Sequence, residues 1–237
     1  YDILLCVGDH QFQEIRKREK IFNLKNKKII KYFHNRIYEM NAYLKSNKKK
    51  YDNNRIIVST SWGTGSIAET LNEDFLLPLL EKNYEILLQF HHMQLNRKNK
   101  IKINYKKLKK QFPNFSFSFS YTNFENLSSF ATMISDWSGA ATEFALGFER
   151  KVIFLDLPKK IRNKNYKLLG IEPIEVFIRG KIGIIVNLNE IHKLELYLIK
   201  IIKNQLTEET IKQIKLIRKK FLFSKPNKDY LLSQIYN

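Results

Sequence analysis

What this chain lacks narrows it first. It has one cysteine, Cys6, so no internal disulfide can form, and no Cys/His cluster shows metal-ligand spacing. A reducing, cytoplasmic compartment fits such usage. No apolar run approaches the roughly 18 residues that a membrane span requires, and no secretory signal is visible. There is no helix-turn-helix signature, RNP motif or zinc finger, which sets aside sequence-specific nucleic-acid readers. No glycine-rich loop is followed by Gly-Lys-Ser/Thr, and no glycine spacing matches a dinucleotide fingerprint. Acidic residues are scarce: 23 Asp and Glu stand against 42 Lys and Arg, a formal net charge of +19.

That charge is what the chain has in abundance. It attracts anions such as nucleotides, acidic polymers and lipid headgroups. The basic residues are dispersed rather than gathered on one reading helix. With 237 residues, 43% of them hydrophobic, the chain can build one large domain or two small ones. It opens inside an apparent strand, as the later part of a longer chain would.

Hydrophobic patterning predicts alternating strands and helices. Strands are expected at 3–7, 28–33, 55–59, 85–90, 115–119, 131–134, 152–155, 176–178 and 182–186. Helices are expected at 13–24, 36–44, 73–82, 100–112 and 140–148, then from Asn187 or Asn189 to Lys203, with a last one capped by Thr207. Pro78 should distort the third of these or mark its first turn. Gly147 is a plausible stop for the fifth. The polar run SNKKKYDNN, Ser46–Asn54, reads as a linker, which predicts a boundary between residues 1–45 and 46–237.

The stretch FATMISDWSGAATEFALGFERKVIFLD, Phe130–Asp156, organises the rest. A buried strand, a small polar loop, a helix and a second strand make a βαβ unit. Ligands of such sheets sit beyond the carboxyl ends of the strands. The loop supplies Ser135, Asp136, Ser138 and Gly139 at a helix N-terminus, whose free N–H groups and dipole suit a phosphate. Ser138 capping the helix is the competing reading, because capping uses the same geometry. The hydroxyl- and glycine-rich loop after the 55–59 strand, with Ser61, Trp62 and Gly63, is another candidate source of backbone donors for an anion. Trp62 is either core or a platform for a nucleobase. Lys159, Lys160, Arg162, Lys164 and Lys167 sit in a long aperiodic segment, 158–175, of the kind that carries function. They are expected to meet a polyanionic acceptor or close over the donor. His91 falls at a strand's carboxyl end and His10 in the loop after the first strand. His34 and His192 read as ordinary. A basic amphipathic helix near the C-terminus could lie on an anionic membrane surface.

Five segments together resemble the CDP-glycerol glycerophosphotransferase family, which assembles teichoic-acid and capsule backbones. They are GDHQFQEIRKREKIFNL from Gly8, RIIVSTSWGTGSI from Arg55, LLPLLEKNYEILLQFHHMQL from Leu76, MISDWSGAATEFALGFERKVIFLD from Met133 and GIEPIE from Gly170. The fourth is the most specific: Asp136, Trp137, Ser138, Gly139, Glu143, Phe144 and Ala145 match the family pattern. The resemblance implies an α/β fold, with a Rossmann-like parallel sheet flanked by helices as the C-terminal donor-binding lobe of a GT-B architecture. Residues 1–45 would end the acceptor-side lobe. The implied reaction moves glycerol- or ribitol-phosphate from a CDP-alcohol to an acceptor hydroxyl on an anionic polymer or lipid-linked chain, releasing CMP. His91 and His10 would be catalytic, and Glu143 would reach the donor ribose. No tightly bound cofactor and no protein-built metal site are expected, although Asp136 could take Mg2+. Peripheral contact with the inner membrane face is compatible with the family. Gln89-Phe90-His91-His92 stands where the family tends to read Arg-Pro-His-Pro. The family's early Trp-His-Gly or His-Gly-Thr histidine, its favoured general base, has no match here.

Overall fold

The structure is a computed structural model that describes residues 2–47, 51–160, 166–205, 207–226, 229 and 233. Two parallel sheets form. Strands β1 (Ile3–Cys6) and β2 (Lys28–Lys31) pair with each other, joined by helix α1 (Asp9–Ile21). After helix α2 (Asn35–Ser46) the chain enters a six-stranded sheet: β3 (Asp52–Ser59), β4 (Glu85–Gln89), β5 (Phe115–Ser118), β6 (Phe130–Ser135), β7 (Val152–Leu155) and β8 (Gly183–Val186). Its order is β5-β4-β3-β6-β7-β8, all parallel. Counted within the sheet this is the 3-2-1-4-5-6 order of a doubly wound Rossmann-like fold.

Both faces of the sheet are covered, so its central strands are apolar on both sides. Ile56, Val58, Ile134, Ile153 and Leu155 meet one helical layer: α3 (Ile67–Thr70), α4 (Leu77–Glu81), α5 (Tyr105–Gln111) and α9 (Leu194–Asn204). Their neighbours Ile57, Met133, Val152 and Phe154 point the other way. There they meet α2, α6 (Phe124–Ser129), α7 (Gly139–Phe148), α8 (Ile174–Ile182) and α10 (Glu208–Phe221).

Helix α2, which precedes the expected boundary near residue 45, packs on the six-stranded unit. Ile37 and Met40 of α2 are buried in the core of the six-stranded unit. Gly147 is part of this junction rather than a helix stop: a Cβ there would meet Met40 Cβ at 2.6 Å. The helix ends at Phe148 and is capped by Glu149, which takes the left-handed conformation at φ 55°. The Glu149 carboxylate accepts from Asn41 (3.0 Å) and from Arg218 (2.8 Å), tying α2 and α10 to this corner. Beyond α10 the Phe223 N–H donates to the Val7 carbonyl at 2.8 Å, so the chain's last described stretch rests against the β1 unit.

Other expectations are corrected. The 176–178 strand is helix: Ile174, Ile178 and Ile182 recur at four-residue spacing in α8, behind Pro173. The 73–82 helix is a 3-10 turn, Glu73–Phe75, followed by α4, with Pro78 in the first turn of α4. The helix expected from Lys100 begins only at Tyr105, where the Asn104 side chain accepts from the Lys107 N–H and caps it. The linker is short, because Asp52–Asn54 already belongs to β3.

Candidate functional site

In this strand order the chain crosses from β3 to one side and from β6 to the other. The loops leaving those two neighbours splay apart and open a crevice at their carboxyl ends. A cleft of about 970 Å3 lies there. Ser61 and Trp62 after β3, His91 after β4, Trp137 to Ala140 after β6, and Lys159 and Lys160 after β7 line it. Glu143 of α7 and Arg36 of α2 close one side, and Tyr166 to Val176 supply another. With Tyr121 after β5, five parallel strands thus deliver loops that lie far apart in sequence to one place.

Ser138 caps α7, its hydroxyl accepting from the Ala140 N–H at 3.3 Å. A Cβ on Gly139 would meet nothing within 4 Å. The helix therefore presents its N-terminus, the positive end of its dipole, to open cleft. Across from it, Lys160 Nζ donates to Ser61 Oγ (2.5 Å) and to the Trp62 carbonyl (2.7 Å). This bridges the β7 and β3 loops and places a cation at their junction. In the β3 loop Gly63 and Gly65 have φ of +81° and +79°, a conformation few other residues adopt.

Two of the expected donor-binding residues are buried and bonded to backbone. Asp136 is wholly buried, and its two carboxylate oxygens accept from the Ser61 N–H (2.9 Å) and the Ile67 N–H (2.8 Å). Ser135 is also buried and donates to the Ser59 carbonyl at 2.6 Å. Neither lines the cleft; both shape the β3 loop from beneath. Gly63 is buried in that loop, with its N–H on Gln94 Oε1 at 3.3 Å.

His91 Nδ1 accepts from the Met93 N–H at 3.2 Å. In a neutral imidazole that bond leaves the ring proton on Nε2, which makes this nitrogen a donor. Trp62 lies beside it, with ring centroids 6.2 Å apart, and His92 stacks on it at 4.3 Å. His92 Nδ1 meets the Tyr121 hydroxyl at 3.0 Å, and Tyr121, 68% exposed, extends this aromatic wall into the cleft. Glu143 is engaged by Arg36 at 2.7 Å, with His34 Nε2 at 3.8 Å. His10 does not line the cleft. Its Nδ1 is buried with no hydrogen-bond partner among the described residues. Burial pushes its pKa down, opposed by the Glu175 carboxylate. Arg162 and Lys164 lie outside the described residues. Lys159, Lys160 and Lys167 all line the cleft.

Sequence reading missed Arg36, Tyr121 and the support under Trp137. Arg179 lies 3.8 Å from the Trp137 ring centre and donates to Asp156 and to the Leu155 carbonyl, both at 3.2 Å. Trp137 Nε1 donates to the Leu157 carbonyl at 2.7 Å. Nothing local in sequence signals these contacts, which span helices and strands. Among the described residues no group of three His, Cys, Asp or Glu is placed to hold a metal ion, and no helix is long and apolar enough to cross a membrane.

Fold and site define an α/β protein with a ligand cleft at the switch point of a doubly wound parallel sheet. No family model and no curated protein matches the chain. Solved structures do resemble it. The wall teichoic acid polymerase TagF, as a variant soaked with CDPG, matches with a TM-score of 0.51 and 13% identity. That match covers 100% of this chain and 55% of TagF. Another TagF structure matches at 0.47 with 15% identity, covering 100% and 57%. Acinetobacter baumannii MurG matches at 0.43 with 11% identity, covering 89% and 56%. The fold shared with TagF is a parallel α/β sheet flanked by helices on both faces. The chain spans about half the length of these structures.

Proposed function

We propose that this chain is the donor-binding part of a transferase acting in cell-surface polymer synthesis, and that its donor is a CDP-linked polyol. The observation that carries the reading is the convergence in one cleft of the α7 N-terminus, the β3 loop and Lys160. Such a site neutralises a diphosphate with backbone donors and a cation. The family resemblance of the Asp136–Ala145 stretch supplies the cytidine and the polyol.

In this reading an acceptor hydroxyl oxygen attacks the phosphorus that carries the polyol. A new P–O bond forms, the bond to the bridging oxygen breaks, and CMP leaves with that electron pair. The hydroxyl proton passes to a base. Phosphoryl transfer of this kind depends on positioning and charge neutralisation. Lys160 and the α7 N–H groups hold the diphosphate, and His91 Nε2–H donates to a phosphate oxygen as charge builds on the leaving CMP. Glu143 takes the ribose hydroxyls, with Arg36 fixing its carboxylate. Lys159 and Lys167 attract the polyanionic acceptor.

The test is a calorimetric panel of CDP, CMP, UDP, GDP and heparin on the 237-residue chain. Tightest binding of CDP is the expected result. Preference for UDP would move the assignment to a nucleotide-sugar glycosyltransferase. Response to heparin alone, lost with salt, would leave an anionic-polymer-binding module.

A further inference from the structure

Beneath the β3 loop lies a set of polar side chains that no motif announced and that do not line the cleft. Glu69 of α3 receives Arg97 in a two-pronged pair: Arg97 Nε reaches Glu69 Oε1 at 2.7 Å and Nη2 reaches Oε2 at 2.8 Å. Gln94 Nε2 donates to the same Glu69 Oε1 at 2.9 Å and to the Arg97 carbonyl at 3.2 Å. Gln94 Oε1 then accepts the Gly63 N–H at 3.3 Å. Gln94 is 0% exposed and the Glu69 side chain 7%. The order Arg97, Glu69, Gln94, Gly63 runs from the protein's edge to the residue next to Trp62 at the cleft wall.

Each link has a physical reason. A buried glutamine cannot turn freely when its oxygen and its nitrogen both have partners. Glu69 accepts from the Gln94 amide nitrogen, so the Gln94 oxygen must face Gly63. The bidentate guanidinium fixes the Glu69 carboxylate plane. Gly63 is held in the left-handed region, and its buried N–H has no water to turn to if Gln94 is removed. The β3 loop is otherwise anchored by Asp136 at Ser61 and Ile67 and by Lys160. Gln94 is the anchor at its middle.

We propose that Glu69, Gln94 and Arg97 are positioning residues that fix the Ser61–Gly63 turn in the shape that receives the donor's diphosphate. The proposal rests on the diphosphate reading above. It differs from ordinary structural support in what it affects: the shape of one turn, and with it the phosphate but not the nucleoside.

The experiment measures binding of CDP, inorganic pyrophosphate and cytidine to Gln94→Ala, Gln94→Glu and the swap Glu69→Gln/Gln94→Glu. Binding is read by calorimetry without altering Trp137, and Trp62 fluorescence is followed separately, each variant in a Trp137→Phe background being compared with Trp137→Phe alone, because these are the only two tryptophans. Gln94→Ala is expected to raise the Kd for CDP and pyrophosphate about tenfold, the loss of one hydrogen bond to a buried donor. Cytidine binding stays at the parental value, and Trp62 becomes more accessible to acrylamide. Gln94→Glu is expected to be worse, since it sets two carboxylates against each other. The swap removes the clash of carboxylates but sets the amide nitrogen at position 69 against the Arg97 Nε–H and a carboxylate oxygen at position 94 against the Arg97 carbonyl, so it is expected to regain only part of the affinity lost in Gln94→Glu. Should Gln94→Ala fail to fold, Arg97→Lys at the exposed edge keeps the charge but loses the two-pronged geometry, and a Kd shift of about threefold in the same direction is expected. Parental CDP and pyrophosphate affinity in a folded variant overturns the proposal, as does an equal loss for cytidine. If the parent binds pyrophosphate but no cytidine nucleotide, the donor assignment fails while the pyrophosphate series still decides this network. If it binds neither, unchanged Trp62 quenching in Gln94→Ala overturns the network too.

Discussion

Asp136 shows how a residue can matter to a site without facing it. Both of its oxygens are taken by backbone N–H groups of the β3 loop and its first helical turn. Asp136→Asn keeps one acceptor and sets an NH2 group against an N–H. We expect about 1–3 kcal/mol lower stability from that unsatisfied buried contact, read by urea unfolding, together with weaker CDP binding. Glu69 adds a pH dependence. Its hydrogen bond from Arg97 holds its pKa below the ordinary 4.5, against the opposing effect of burial. A carboxyl with a depressed folded-state pKa contributes stability above its unfolded value, and that contribution is lost as pH falls through the folded one. Urea unfolding of the parent should therefore weaken on acidification below about pH 4.5, and Glu69→Gln should show a shallower decline there. Parallel curves would mean that Glu69 titrates alike in both states.

At the scale of elements, the α2–α7 contact sets one wall of the cleft. Arg36 reaches Glu143 only because α2 lies close on α7. Gly147 permits that approach, since any side chain there must displace Met40. Gly147→Val should cost about 1–3 kcal/mol by overpacking. Met40→Gly, harmful alone through its cavity, removes the Cβ that lies 2.6 Å from the added atom and should lessen the cost of Gly147→Val in the double variant. Thermal unfolding of the four proteins gives the coupling. Strict additivity would remove the steric account. Alpha10 ties the same corner from outside, through Arg218 on the Leu146 carbonyl (2.7 Å) and on Glu149.

For the whole molecule the governing quantity is charge. A net charge of +19 raises the local concentration of any polyanion, and a cleft rimmed by Lys159 and Lys167 focuses that attraction. Neutralising both to Gln should slow association of an anionic polymer and flatten its salt dependence. The loss should be large at low ionic strength and small once the Debye length falls to about 3 Å near 1 M salt. Stopped-flow association across a salt series measures this. Identical slopes in parent and variant would leave the two lysines as solvated surface. Lys160 belongs to a different class, because its bonds to Ser61 and Trp62 make it part of the loop's architecture.

By itself the sequence determined the alternation of strands and helices, the βαβ unit around Ser138, and an anion-loving surface. These follow from local periodicity, from small residues at a helix start, and from simple charge counting, none of which needs distant partners. It also put Ser61, Trp62, His91, Ser138, Lys159 and Lys160 in segments that follow strands, and Gly139 and Glu143 in the helix after one of them. The tertiary structure alone decided what each then does. Asp136 and Ser135 turned inward because the neighbouring β3 loop had backbone groups to satisfy, and a buried carboxylate goes where N–H donors are. Val176–Ile178 became helix because Pro173 and a four-residue apolar spacing outweighed a short β-branched run. Alpha2 joined the larger unit because Ile37 and Met40 found a buried face on α7. Arg36, Gln94, Arg97 and Arg179 gained their roles from partners on other elements. Local sequence carries no record of such pairings, because they exist only once the sheet has brought the strand ends together.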